Sequence, residues 1–451
     1  MSSSSNRRGG SASRRVGPRS GSPSTSHFST HLAAEPARTP AERLDVTPSP
    51  GTDLPLSDVK ILDFMWVMAG PAATRVLADY GATVVRIESA NKVETARTIQ
   101  PFLNDEGGAD NTGLYQNMNA GKLGLTLDLT KPESRDVIFD LVRWADVVCE
   151  SFSPRAMREW GLGYDELRQV KPEIIMTSTN LFGQNGPLSS LAGFGTMGAA
   201  MSGFYDMTGW GDRHPAGCFG AYTDYVSPRF LSTAILAALD HRNRTGEGQY
   251  IDLSQAETSI GFLTPALYDH EINGAAHLPP GNSHPSMVPH GIYPAAGDDA
   301  WTAIACQDDD RWRALSVIVG APDDLARLDT AGRRARKDDI DAIIGAWTAQ
   351  RNSPEIEELL QSAGIAVHTA HDADSVITDP QLTARGHFVN AAHATHGTMY
   401  VEGSRFKLSR TPAVITDAGP TYGQHTFEVL EGVLGYDSDR IADLAVAGVL
   451  E

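Results

Sequence analysis

Apolar and polar positions along this chain keep switching between two periods. Val59 to Phe64 (VKILDF) and Thr83 to Ser89 (TVVRIES) are short, nearly continuous apolar runs, as in strands covered on both faces. Between them a tight turn, Met68-Ala69-Gly70-Pro71, leads into a helix from Pro71 to about Tyr80, stopped by Gly81. The three elements make a βαβ unit. Asn119, Gly121 and Lys122, a loop, lead into a short strand expected to end near Asp128; further strands are expected from Asp146 to Cys149, Ile174 to Asn180 and Gln249 to Leu253, with a helix over Lys131 to Trp144. Another helix is expected to start at Pro228, with Ser227 as its N-cap. Its stripe is Phe230, Leu231, Ala234, Ile235, Ala238 and Leu239; His241, Arg242 and Arg244 follow in the last turn, and Gly246 ends it. Beyond a helix over Ala256 to His270 come the strand WTAIAC, helices over Asp338 to Ala349 and Ser353 to Ala363, and the strand IAVHTA.

This succession implies an α/β fold: a Rossmann-like large domain with a parallel sheet plus a smaller α/β domain. The expected division is a tail over 1–52, a large domain over 55–275, a small domain over 280–385 and a closing segment over 386–451. The first turn lacks G-x-G-x-x-G, so no dinucleotide site is expected. Ligands should still gather at the carboxyl end of the first strand.

Composition narrows the function. The first 52 residues are rich in Ser, Arg, Gly and Pro and cannot build a core. They have the Arg and Ser bias of a transit peptide, but their Gly and Pro speak against an amphipathic helix. A net charge of −19 argues against nucleic-acid or anionic-membrane partners, and no run reaches the length of a membrane-spanning helix. Cys149, Cys218 and Cys306 are scattered, which suggests neither disulfides nor a metal site and fits a cytoplasmic location. Asp308, Asp309 and Asp310 read as a solvated helix cap rather than metal ligands. His284 and His290 could touch substrate, although turn or surface positions are the plainer reading.

The candidate with chemistry is Asp224, in the loop before the Pro228 helix. A carboxylate near a helix N-terminus has its ionised form favoured by the dipole and by free N–H groups. With little bulk around it, it could attack an activated acyl group; the plain alternative is that it only caps the helix.

Asp224, the Ala/Leu-rich helix after it and the segment HRNRTGEGQ resemble the core of the class III CoA-transferases, the formyl-CoA and carnitine CoA-transferase (CaiB/BaiF-like) family. Around DFMWVMAGP the chain is similar to the benzylsuccinate CoA-transferases. The resemblance runs from about Leu56 to the end. It implies Asp224 as nucleophile, forming a mixed anhydride and then an aspartyl-CoA thioester. It also implies CoA contacts at Val67, Met68, Asn119, Lys122 and Phe152. Substrates would be an acyl-CoA thioester and a carboxylic acid, with no permanently bound cofactor. An interlocked homodimer is implied, with a heteromer of related subunits as the alternative. Departures are Ser151 for the usual Asn, Arg155 for Gly and Met68 for Gln. Racemases of the same fold carry a second acid/base where this chain has Phe194, so racemase or isomerase chemistry is the weaker reading. Met68, Phe194, Met197, Trp210 and Tyr222 suggest an apolar acyl pocket, though all five could equally be core.

Overall fold

Alternate residues of the apolar runs feed two different cores. The computed structural model describes residues 54–450 apart from Phe219, His277 and Leu278, so the tail expected over 1–52 lies outside the described residues. Six strands, β1 (Lys60–Asp63), β2 (Thr83–Glu88), β3 (Leu123–Thr126), β4 (Val147–Glu150), β5 (Ile175–Asn180) and β6 (Tyr250–Ser254), form one sheet. Every neighbouring pair is parallel, in the order β3-β2-β1-β4-β5-β6. Successive side chains point to opposite faces of a strand. Ile61, Val84, Val147 and Ile175 therefore join one core, while Leu62, Val85, Val148 and Met176 join the other.

The first core is closed by α1 (Ala69–Asp79) through Ala73 and Leu77. On the opposite face α2 (Ser134–Trp144) contributes Val137, Ile138, Leu141 and Val142. The chain's last residues return to that face: Val429, Leu430, Tyr436, Ile441 and Val449 are buried there, and the Asp128 N–H donates to the Val449 carbonyl at 2.9 Å.

Two more helices position the site. The first, α3 (Gly195–Met201), is short. The second, α4 (Tyr222–Thr245), ends at Gly246 with φ 78°, as the sequence suggested. Its start differs from expectation. It begins at Tyr222, so Pro228 lies inside the helix and Asp224 in its first turn rather than in a loop. Ser227 is not the cap; its buried hydroxyl makes no hydrogen bond among the described residues. Leu231, Ile235, Ala238 and Leu239 pack on the first core, and the Ser232 hydroxyl reaches the Ala73 carbonyl at 3.1 Å. This tertiary anchoring offsets the one backbone bond that proline removes. The helix expected over 256–270 is instead split into Gln255–Ile260 and Thr264–Asn273 by the 3-10 turn Gly261–Leu263, with Pro265 opening the second piece.

Strands β7 (His290–Pro294), β8 (Trp301–Ala305) and β9 (Ala366–Thr369) form an antiparallel sheet with its own core around Trp312, Leu315, Ile340, Ile344 and Leu360. The Asp308 carboxylate accepts the Arg311 N–H at 2.9 Å and caps the helix Asp309–Val319, as expected. A hairpin, β10 (Phe388–His393) and β11 (Gly397–Glu402), completes the strands. Among the described residues no helix is long and apolar enough to cross a membrane.

Candidate active site

The strand order reverses direction between β1 and β4, and the crevice outside their carboxyl ends is where such sheets take ligands. Chain leaving β1 turns sharply there into α1. Asp63, the last residue of β1, accepts the Met65 N–H at 2.8 Å, and Ser151 after β4 accepts the Trp66 N–H at 2.9 Å. Ser151 thus braces the turn. A cavity of about 230 Å³ opens above, lined by Trp66 to Gly70, Phe152, Asn180, Phe194, Gly195 and Asp224. A second, of about 590 Å³, is lined by Met68, Arg75, Met118, Asp224, Tyr225, Arg229, His387, Glu402 and Phe406 among others. Asp224 and Met68 belong to both, so Asp224 stands in the wall between two cavities.

Asp224 is 7% exposed. Its carboxylate accepts the Gly195 N–H at the start of α3, and the Thr223 hydroxyl holds the Gly195 carbonyl at 3.1 Å. A Cβ at 195 would lie 2.6–2.8 Å from the Asp224 carboxylate atoms, so any side chain there would have to displace that carboxylate. Nothing in the sequence links these two positions, and Gly195 was not anticipated as part of the site. The expectation that helix geometry keeps Asp224 readily ionised is overturned. Burial pushes its pKa up to about 7, because desolvation outweighs the single N–H that favours the anion.

Val67, Met68 and Phe152, expected to hold CoA, all line the smaller cavity, where Phe152 meets Trp66 edge-on at 5.7 Å. Asn119 and Lys122 do not. Both are buried, and Lys122 Nζ donates to Asp63 Oδ2 at 2.9 Å, the Pro71 carbonyl at 3.0 Å and Asn119 Oδ1 at 3.0 Å. An ammonium has three donors, and all are occupied. The Lys122 ammonium thus pins β1 to α1, and neither side chain lines either cavity. Burial pushes Lys122 down to about 8 against the attraction of Asp63.

Of the five residues suggested for the acyl pocket, Met68 and Phe194 line these cavities. Tyr222 instead packs on Phe204 and Phe262, and Met197 and Trp210 are absent from both linings. His284 and His290 also stand apart from Asp224. Their rings lie 5.3 Å apart beside the antiparallel sheet, and His290 bonds the Asn282 carbonyl. The described cluster with metal-ligand character is His368, His371 and Asp379, whose donor atoms lie within 4.8 Å of one another. One Asp379 oxygen already caps the helix Pro380–Arg385, and the other pairs with His371 at 3.4 Å.

The pattern of CoA-transferase family III matches residues 56–426. The chain is 30% identical over 403 residues to the succinyl-CoA–D-citramalate CoA-transferase of Chloroflexus aurantiacus, covering 88% of this chain and 98% of that one. It is 31% identical over 392 residues to the succinate–glutarate CoA-transferase of Agrobacterium fabrum, covering 85% and 97%. A crystal structure of a CaiB/BaiF family protein from Brucella suis superposes with a TM-score of 0.78 at 28% identity, over 85% of this chain and all of that one.

Proposed function

This chain belongs to CoA-transferase family III, and we propose that Asp224 is the residue through which it passes CoA from an acyl thioester to a free acid. The observation that carries this reading is the position of Asp224 between the two cavities, desolvated and open to a reactant from either side.

The thioester sits in the smaller cavity with its carbonyl carbon against Asp224. The carboxylate attacks, the C–S bond breaks, and CoA leaves as thiolate from an acyl-aspartyl anhydride. The thiolate then attacks Cγ of Asp224, which releases the first acid and leaves an aspartyl-CoA thioester. The second acid's carboxylate attacks that thioester and expels the thiolate. In the last step the thiolate attacks the new acyl carbon, giving the product thioester and free Asp224. Oxyanions formed on the way face the first N–H groups of α1, at Ala69 and Gly70, which have no partner within the helix. Racemisation is disfavoured: Phe194, which lines the smaller cavity and is 57% exposed, stands where the resemblance to racemases places their second acid/base. We read the working form as a homodimer, which light scattering of the purified chain tests.

Incubation with acyl-CoA followed by borohydride or hydroxylamine trapping should place a covalent modification on Asp224, read by peptide mass. Trapped label elsewhere, or none in an active enzyme, defeats the assignment. Since attack requires the carboxylate, kcat/KM should rise with pH through about 7 and then level off. A profile flat between pH 5.5 and 8.5 would show that Asp224 does not titrate there.

The acids handled are short dicarboxylates. Both relatives described above are named for such acids, and the larger cavity holds three guanidinium groups. Arg75 is paired with Asp79, and Arg405 with Glu402. Arg229 has no anionic partner among the described residues; it donates only to the Tyr225 carbonyl. It is therefore placed to take the second carboxylate. Arg229→Met should raise KM for a C4 or C5 dicarboxylate by about 10–100-fold, the scale of one charge-assisted hydrogen bond. KM for a monocarboxylate should stay within about threefold. Equal effects on both acids would remove Arg229 from the reading.

A further inference from the structure

Val67 has a backbone conformation that its side chain opposes. Its φ is 66°, and among the described non-glycine residues with left-handed backbone (Val67, Asn104, Asp105 and Asp299) it alone is β-branched. That geometry costs on the order of 1–3 kcal/mol and persists only where the surroundings enforce it. Here the enforcement is visible. The Val67 N–H donates to Glu94 Oε1 at 2.6 Å, and the Ala96 N–H donates to the same oxygen at 3.3 Å. The other Glu94 oxygen pairs with Arg86, and Arg86 in turn donates to the Met65 carbonyl at 2.5 Å. Glu94 is 2% exposed and Arg86 fully buried, and Arg86 is also ion-paired with Glu88 at 3.7 Å. One buried ion pair therefore grips the turn at both Met65 and Val67, while Asp63 and Ser151 hold the N–H groups of Met65 and Trp66.

We propose that Glu94 is a positioning residue for CoA transfer: by holding Val67 in its left-handed conformation, it aims the start of α1 into the cavity shared with Asp224. The residue after Val67 is Met68, the N-cap of α1, and Met68, Ala69 and Gly70 line that cavity. A valine freed from the clamp relaxes to negative φ, which swings the following peptide groups away from the reacting carbonyl. The inference rests on the reading that this cavity is where the transfer occurs; it does not require Asp224 to be the nucleophile.

The test is a double-mutant cycle between Glu94→Ala and Val67→Gly in the full-length enzyme, read as kcat and KM with succinyl-CoA as donor. Glycine adopts positive φ without strain, so it removes the need for the clamp. With Val67 present, Glu94→Ala should lower kcat by about 10–100-fold, the cost of misplacing a catalytic group by roughly 1 Å. KM for the donor should change less than about threefold. In the Val67→Gly background, the same substitution should cost less than about threefold in kcat. Equal losses in both backgrounds, or no loss in either, overturn the proposal, because a merely structural Glu94 would be indifferent to the residue whose backbone it holds. Should Glu94→Ala fail to fold by circular dichroism, Glu94→Gln carries the same cycle. Its neutral oxygen can still accept from Val67, so a smaller loss is expected, again erased by Val67→Gly. Trapping on the wild-type enzyme is run alongside. Absence of an Asp224 adduct with the cycle as expected would remove the nucleophile assignment and leave the role of Glu94 standing.

Discussion

Asp224→Asn should abolish CoA transfer, with kcat falling at least about 10⁴-fold, because the amide offers no anionic oxygen to attack the thioester. The same substitution should not harm folding. Burial lifts Asp224 from 3.8 to about 7, so the folded chain favours the neutral carboxyl. That preference stabilises the protein fully below about pH 4 and is lost as pH rises through 7. Asparagine carries no charge, keeps an oxygen for the Gly195 N–H and avoids the penalty. At pH 8 the melting temperature of the variant should therefore equal or exceed that of wild type, while at pH 4 the two should converge. Loss of activity together with lower stability at pH 8 would mean that Asp224 is structural.

Lys122→Ala should have the largest effect on stability, about 3–5 kcal/mol by urea denaturation, because it strands the Asp63 carboxylate in the core. Asp63 is fully buried and is held by Lys122, the Thr74 hydroxyl at 2.7 Å and the Met65 N–H. Without the ammonium it must take up a proton or draw in water, and either change loosens the turn that leads to Val67 and Met68. Activity per folded molecule should fall too. Asp63→Asn in the Lys122→Met background should recover much of the stability, since it replaces the broken pair with groups that carry no charge. If Lys122→Ala instead raised KM for acyl-CoA with stability unchanged, Lys122 would be the CoA ligand that the resemblance implied.

The pair illustrates what a sequence hides. Lys122 lies near Asn119 in a turn of glycine and small residues, which reads as exposed loop. The acid that claims it, Asp63, sits 59 positions earlier on another strand. Gly195 gave no local signal, because its role is to clear space for a carboxylate that arrives from a different helix. In the sequence Glu94 is one acid in the polar stretch after Ser89, and its partner Arg86 interrupts an apolar run.

Pattern alone determined the elements that local chemistry dictates. The apolar runs of β1 and β2, the stop at Gly246 and the cap at Asp308 follow from side-chain alternation, from glycine's access to positive φ and from a carboxylate accepting a nearby N–H. The family was legible because HRNRTGEGQ and the helix before it are contiguous, and that same stretch made Asp224 the candidate. Tertiary structure decided whatever depends on groups distant in the chain. It carried the Asp224 helix through Pro228, because a buried stripe and the Ser232 anchor outweigh one missing hydrogen bond. It raised the pKa of Asp224, because desolvation depends on what surrounds a carboxyl in space rather than on its neighbours in the chain. It also buried Lys122, because an ammonium with three fixed acceptors is satisfied inside a protein, and only the fold could bring those acceptors together.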